Sequence, residues 1–139
     1  MAQLRFRFAR NDNRTADERR KALAFGKMGE EMAARYLEDQ GYLIVERNYR
    51  KGHLEIDLLA LDGDEIVVVE VKTRSHDIIL DPEDAVGHKK RLALIRLANQ
   101  YARSHGRTEN IRLDIVAIVS NADDTEIKPI KNAFNVMRF

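Results

Sequence analysis

The segment Leu54-Glu-Ile-Asp-Leu-Leu-Ala-Leu61, followed by Asp62-Gly63-Asp64 and Glu65-Ile-Val-Val-Val-Glu-Val-Lys72, constrains the fold more than any other part of the chain. Both arms are rich in β-branched and aliphatic residues that suit a pleated surface, and the Asp-Gly-Asp link suits a tight turn, so they read as a β-hairpin. Side chains alternate along a strand. Glu55, Asp57 and Leu59 therefore share one face of the first arm, and Glu70 and Lys72 share one face of the second. A two-residue turn at Gly63-Asp64 sets Asp57 opposite Glu70 and Glu55 opposite Lys72. A turn at Asp62-Gly63 keeps the same faces together, and only a three-residue loop separates them. The other face, Ile56, Leu58 and Ala60 with Val67, Val69 and Val71, is apolar throughout and is expected to pack on a helix as core.

Helices flank the hairpin in sequence. Thr15-Ala-Asp-Glu18 is a capping box, and Leu23, Phe25, Met28, Met32, Tyr36 and Leu37 continue a helical period until Gly41 stops it. Gly26 and Gly29 lie one turn apart inside this helix at a cost of about 1 kcal/mol each, which is sensible where a helix must approach another backbone closely. A first strand covers Tyr42 to Asn48, and the hairpin supplies Leu54–Leu61 and Glu65–Thr73. Residues 74–87 read as a loop with a helical turn opening at Pro82 and capped by Asp81. A second helix runs from His88 to Ser104 and closes at Gly106, and strands near Ile111–Val119 and Glu126–Ile130 end the chain. The order α-β-β-β-α-β-β predicts an α/β fold with a mixed central β-sheet flanked by helices. At 139 residues the chain has room for one core, so residues 15–139 are taken as a single domain behind a flexible basic arm, residues 1–14.

Composition narrows the chemistry. Without cysteine there are no disulfides, thiolate metal sites or thiol nucleophiles. The four histidines show no zinc-ligand spacing, and no phosphate-binding loop, dinucleotide fingerprint or serine nucleophile motif occurs. No apolar run could span a bilayer, and the Arg-rich start lacks a signal-peptide core, which predicts a cytoplasmic protein with no membrane partner. Lys plus Arg number 24 against 23 for Asp plus Glu, so any electrostatic function must come from local segregation of charge.

That segregation is present. Two opposed carboxylates at Asp57 and Glu70 repel by up to about 4 kcal/mol at about 4 Å and an effective dielectric of about 20. A shared proton, the Lys72 ammonium or a divalent cation would offset this, and hard oxygen ligands suit Mg²⁺ or Mn²⁺. Glu30, just past Gly29, is a candidate third carboxylate. From His88 to Arg107 there are six basic residues and no acidic one. Lys89, Arg96 and Arg103 recur every seven residues as one stripe, while Leu92, Ile95, Ala98 and Tyr101 or Ala102 point elsewhere. A basic stripe beside an acidic patch suits a polyanion held against a cation site, and Lys90 and Arg74 join that reading. Three plainer readings use the same residues: a solvated hairpin face with a Glu–Lys cross-strand pair, a solvated basic helix face, and a charged surface that docks a protein partner. A glycine-loop RNA-binding module at Gly26–Gly29 is disfavoured, because the apolar period runs through the glycines.

Glu30, Ile56-Asp57 and Glu70-Val71-Lys72 together resemble the PD-(D/E)XK nuclease superfamily. The closer resemblance is to the YraN-type family of uncharacterised bacterial proteins, which is similar to archaeal Holliday-junction resolvases. It runs from Gly26-x-x-Gly-Glu30 through Glu46-Arg-Asn-Tyr-Arg50, Glu55-Ile-Asp-Leu58 and Val69-Glu-Val-Lys72-x-Arg74 to Lys89 and Asn132-Ala-Phe134. It departs at Leu54, where the family commonly has Gly. The resemblance implies a restriction-endonuclease-like core. It implies a divalent metal on Asp57, Glu70 and the Val71 carbonyl with Glu30 joining directly or through water, and Lys72 positioning the attacking water. DNA, branched or structured, is the implied partner, and resolvase-like proteins work as dimers, so the resemblance allows a homodimer. The alternative is a non-catalytic nucleic-acid-binding protein on the same fold.

Overall fold

The computed structural model describes residues 13–74, 87–120 and 124–134. The basic arm, apart from its last two residues, and the Asp81–Pro82 turn lie outside these residues. The elements are α1 (Ala16–Asp39), β1 (Leu43–Lys51), β2 (Leu54–Asp62), β3 (Glu65–Arg74), α2 (His88–Ser104), β4 (Asn110–Ser120) and β5 (Thr125–Phe134). One five-stranded sheet holds them in the order β1-β2-β3-β4-β5. Only β3 and β4 run parallel, joined through α2; the other neighbours are antiparallel. The fold is thus α/β with the expected mixed sheet and element order, although β5 continues four residues past the expected Ile130.

Local signals act where the sequence places them. Thr15 and Glu18 form the capping box in full, and Gly41 (φ +96°) and Gly106 (φ +66°) follow the two helix ends in the left-handed conformation that glycine adopts without strain. Gly63 and Asp64 form the two-residue turn between β2 and β3, whose last pair is Asp62↔Glu65.

Both faces of the sheet are covered, because the parallel crossover carries α2 to one side while α1 packs on the other. Ala33, Ala34 and Leu37 of α1 meet Leu58, Ala60, Val67, Val69, Val116 and Ile118. Leu94, Ile95, Leu97, Ala98 and Tyr101 of α2 meet Ile56, Leu59, Ile66, Val68, Leu113 and Ile115. Of the two glycines in α1, only Gly29 makes the close approach. A Cβ there would overlap Thr73 Cγ2 and touch Ile118, whereas one at Gly26 would meet nothing.

At the β2–β3 turn end of the sheet, the α1 side carries a buried ionic cluster. Arg112, on β4, bonds Asp114 at 3.0 Å, Asp62 at 2.9 Å and the Tyr42 hydroxyl at 2.6 Å, and also pairs with Glu65. Asp114 in turn accepts the Asn132 amide of β5 at 2.9 Å. Burial opposes the guanidinium charge, but bonding to Asp114, Asp62 and Glu65 outweighs it and fixes the charged form. Tyr42 is pushed up to about 12, first by burial and then by the Asp114 charge.

Two outcomes follow. Gly29→Ala gains about 1 kcal/mol of helix propensity but loses more to overpacking, for a net loss of about 1–2 kcal/mol in urea unfolding. Adding Thr73→Ser, which removes Cγ2, should recover at least half of it. Arg112→Met leaves three carboxylates around an apolar side chain and should cost about 3–5 kcal/mol by the same measurement.

Candidate active site

The β2–β3 ladder runs from Asp62↔Glu65 to Leu58↔Val69 and stops there, just before Asp57 on one strand and Glu70 on the other. At the same point β2 loses its alternation. Leu58 and Ala60 pack with α1, whereas Ile56 packs on the α2 side with Leu59, although residues two apart on a regular strand share a face. Asp57 sits at this break. Its Oδ2 accepts the Val71 backbone N–H at 2.9 Å, so a carboxylate takes the place that a neighbouring strand's carbonyl would otherwise fill.

The break corrects two expectations. Ile56 does not share the apolar face of Leu58 and Ala60, and Glu55 does not face Lys72. Glu55 instead turns toward α1, where Asn48 Nδ2 donates to its Oε2 at 2.9 Å and to Glu30 Oε1 at 3.2 Å, and Arg50 approaches it at 3.4 Å. Glu30 thus reaches the site end of the sheet through Asn48. A groove of about 380 Å³ opens here, lined in part by Leu23, Lys27, Glu30, Asn48, Arg50 and Glu55.

On β3 the alternation persists and carries Glu70 toward α2. Glu70 is 2% exposed. Lys90 Nζ, from the first turn of α2, approaches its Oε2 at 3.5 Å, while Oε1 is buried without a hydrogen-bond partner. Burial and then repulsion by Glu70 push the Asp57 carboxyl up to about 7, and Glu30 and Glu55 add to the rise. Burial also raises Glu70, against the pull of Lys90 and Lys72. Lys72, half-buried, is lowered by burial and by Lys90. Two acids held above their ordinary range beside a lysine held below its own are groups placed where charge is expensive, a common property of catalytic sites.

The donor set fits a hard divalent cation. Asp57 and Glu70 offer carboxylate oxygens, and Glu70 Oε1 lacks any partner that a buried oxygen normally has. Among the described residues no three His, Cys, Asp or Glu side chains gather closely enough to cage a metal. Mg²⁺ suits such an open set, since it usually keeps several waters beside one or two carboxylates.

The basic residues divide by position. Lys90 and Arg74 lie at the site: Arg74 adds positive charge at Lys72 and donates to the Thr73 carbonyl at 2.9 Å. Lys89, Arg96 and Arg103 are exposed along α2, with Arg103 about 20 Å beyond Lys90 at the helical rise. Asn48 is the site residue that sequence reasoning missed. It is a non-glycine residue at φ +51° within β1, and the available signal was an asparagine, which tolerates that conformation, set among strand formers.

Compared with known proteins, residues 29–118 match the model of an uncharacterised protein family, UPF0102. The matched span includes Glu30, Asp57, Glu70, Lys72 and Lys90. The chain is 42% identical to a UPF0102 protein of Bacteroides thetaiotaomicron, an alignment covering 78% of this chain and 90% of that one. It is 43% identical to one of Syntrophus aciditrophicus (82% and 91% covered) and 47% identical to one of an Arthrobacter species (69% and 82% covered). No helix among the described residues is long and apolar enough to cross a membrane.

The Asp57 carboxyl sets a pH dependence of stability. A raised pKa means that the folded state keeps a proton that the unfolded chain releases, so stability falls as pH rises from the ordinary 3.8 toward about 7. Asp57→Asn keeps an acceptor for Val71 and removes the charge. Without added metal it should be more stable than the parent by about 2–4 kcal/mol above that window and nearly equal below it. Urea unfolding across pH checks this, and a pH-independent difference would refute the assignment.

Proposed function

The chain belongs to the uncharacterised protein family UPF0102, and we propose that it is a Mg²⁺- or Mn²⁺-dependent nuclease acting on DNA, with branched or otherwise structured DNA as its preferred form. The observation that carries this reading is the buried Glu70, with one unpartnered carboxylate oxygen, beside the half-buried Asp57 and the ammonium of Lys72. The resemblance of Glu30, Asp57 and Glu70-Val71-Lys72 to the PD-(D/E)XK pattern supports it.

Phosphodiester hydrolysis needs neutralisation of a crowded anion and an oriented nucleophile. Asp57 and Glu70, with the Val71 carbonyl and with Glu30 directly or through water, would hold a divalent ion, which would supply Lewis-acid stabilisation and make water at the site easier to deprotonate. Lys72 stands beside both carboxylates with its pKa lowered, which suits it to orient that water or take its proton. Asp57 is fixed by the Val71 amide, and burial of Glu70 excludes competing solvent from one side. Lys89, Arg74, Arg96 and Arg103 hold the phosphate backbone, with the α2 stripe as the track that leads away from the reacting bond.

The second reading is a non-catalytic nucleic-acid-binding protein, favoured by the want, among the described residues, of a third carboxylate close enough to complete a cage. Incubation with branched, nicked and single-stranded DNA, with Mg²⁺ or Mn²⁺ or with chelator, separates the two. Cleavage should need the metal and fall by about a hundredfold or more in Asp57→Asn and in Lys72→Ala. Cleavage that survives both substitutions would remove the mechanism. Salt-dependent binding without cleavage would establish the second reading, and Arg96→Ala should then lower the salt slope by about one.

A further inference from the structure

Glu70 uses its two oxygens differently. Oε2 is approached by Lys90 at 3.5 Å, and Oε1 is buried with no partner. The side chain of Glu70 is 3% exposed and that of Lys90 is 48% exposed, so the carboxylate is fixed in the protein while the lysine reaches in from the rim. A buried carboxylate could be satisfied at both oxygens by local donors. Here one oxygen faces a cation and the other is buried with no hydrogen-bond partner.

The position of Lys90 is not explained by the helix that carries it. It lies in the first turn of α2, whose N-cap Gly87 makes no side-chain bond and whose first turn holds no acidic residue. Cations are disfavoured at that positive end of a helix. The compensating contact is Glu70, on another element and twenty residues earlier in the chain.

We infer that Lys90 is a positioning residue: it clamps Glu70 Oε2 and thereby presents Oε1 as the ligand oxygen of the site. This rests on the proposed metal site and adds the device that aims one of its ligands. It also separates the two lysines that face Glu70. Lys90 orients the ligand, which leaves Lys72 for the water and the phosphate. Without Lys90, the Glu70 carboxylate loses the ion pair at Oε2 and is left with the charge of Lys72 and the Asp57 backbone amide.

Mn²⁺ binding to the intact protein, read by electron paramagnetic resonance without DNA, tests the inference. The parent should bind Mn²⁺, and Asp57→Ala should abolish the signal change. Lys90→Met should weaken Mn²⁺ affinity by about tenfold to a hundredfold, as loss of a partner that orients a ligand does. Lys90→Arg should restore most of it, which a purely structural role would not predict. Should Lys90→Met fail to fold, Lys90→Gln, which keeps a donor without the charge, carries the test and must also bind more weakly. Unchanged or tighter affinity in Lys90→Met or Lys90→Gln overturns the clamp while leaving the metal site standing. A parent that binds no Mn²⁺ overturns both the clamp and the proposed nuclease.

Discussion

Burial of β3 on both faces is the constraint from which the rest of the structure follows. A central strand with a helix over each side has no wet face, so its residues alternate between two cores rather than between core and solvent. Val67 and Val69 fill one, and Ile66 and Val68 fill the other. The same alternation then carries Glu70 into the protein beside α2. Its burial is a consequence of where it stands in that strand, and Lys90 and Lys72 offset part of what that burial costs its charge.

The two ends of the hairpin treat buried charge in opposite ways. Near the turn, Arg112 is matched by Asp62, Glu65 and Asp114 and by the Tyr42 hydroxyl, and Asp114 also takes the Asn132 amide. That cluster ties β2, β3, β4 and β5 to the segment after α1. Five residues along β3 from Glu65, about 17 Å at the strand rise, Glu70 keeps an oxygen with no partner. Saturated polar networks specify a fold, whereas an unsaturated one is a cost that folding alone does not explain. Folding accounts for the first end, and the second is the end that carries the proposed chemistry.

The parts of this arrangement that depend on short-range rules could be read from sequence. Thr15 and Glu18, the glycines after each helix, the Gly63-Asp64 turn and the inward stripe of α2 are each set within a turn or two of chain. Strand period and turn length set Asp57 opposite Glu70; the ladder stops one pair short of that, at Leu58↔Val69, and the two carboxyls are neighbours close enough for the Glu70 charge to raise Asp57. What escaped depends on departures from period or on distant partners. Ile56 and Glu55 exchange faces because β2 breaks beside Asp57, and alternation offers no warning of a break. Asn48 lies in a strand in a conformation that strands do not use. Arg112 looks like an ordinary polar residue in a strand until Asp62 and Glu65, some fifty positions earlier, come to lie against it. Gly26 and Gly29 look alike in sequence, and only the packing of Thr73 distinguishes them.

That last pair of neighbours, Gly29 and Thr73, has a bearing on accuracy. Thr73 follows Lys72 in β3, and Glu30 follows Gly29 in α1. With no side chain between them, the helix and the strand meet backbone to methyl, and the helix can neither roll nor slide without opening that contact. The spacing between Glu30 and the strand bearing Glu70 and Lys72 is therefore gauged by a residue that has no functional group. Reacting groups misplaced by about 1 Å can lose about a hundredfold in rate. The tolerance of the site is thus set by an absence, the width of one missing carbon atom.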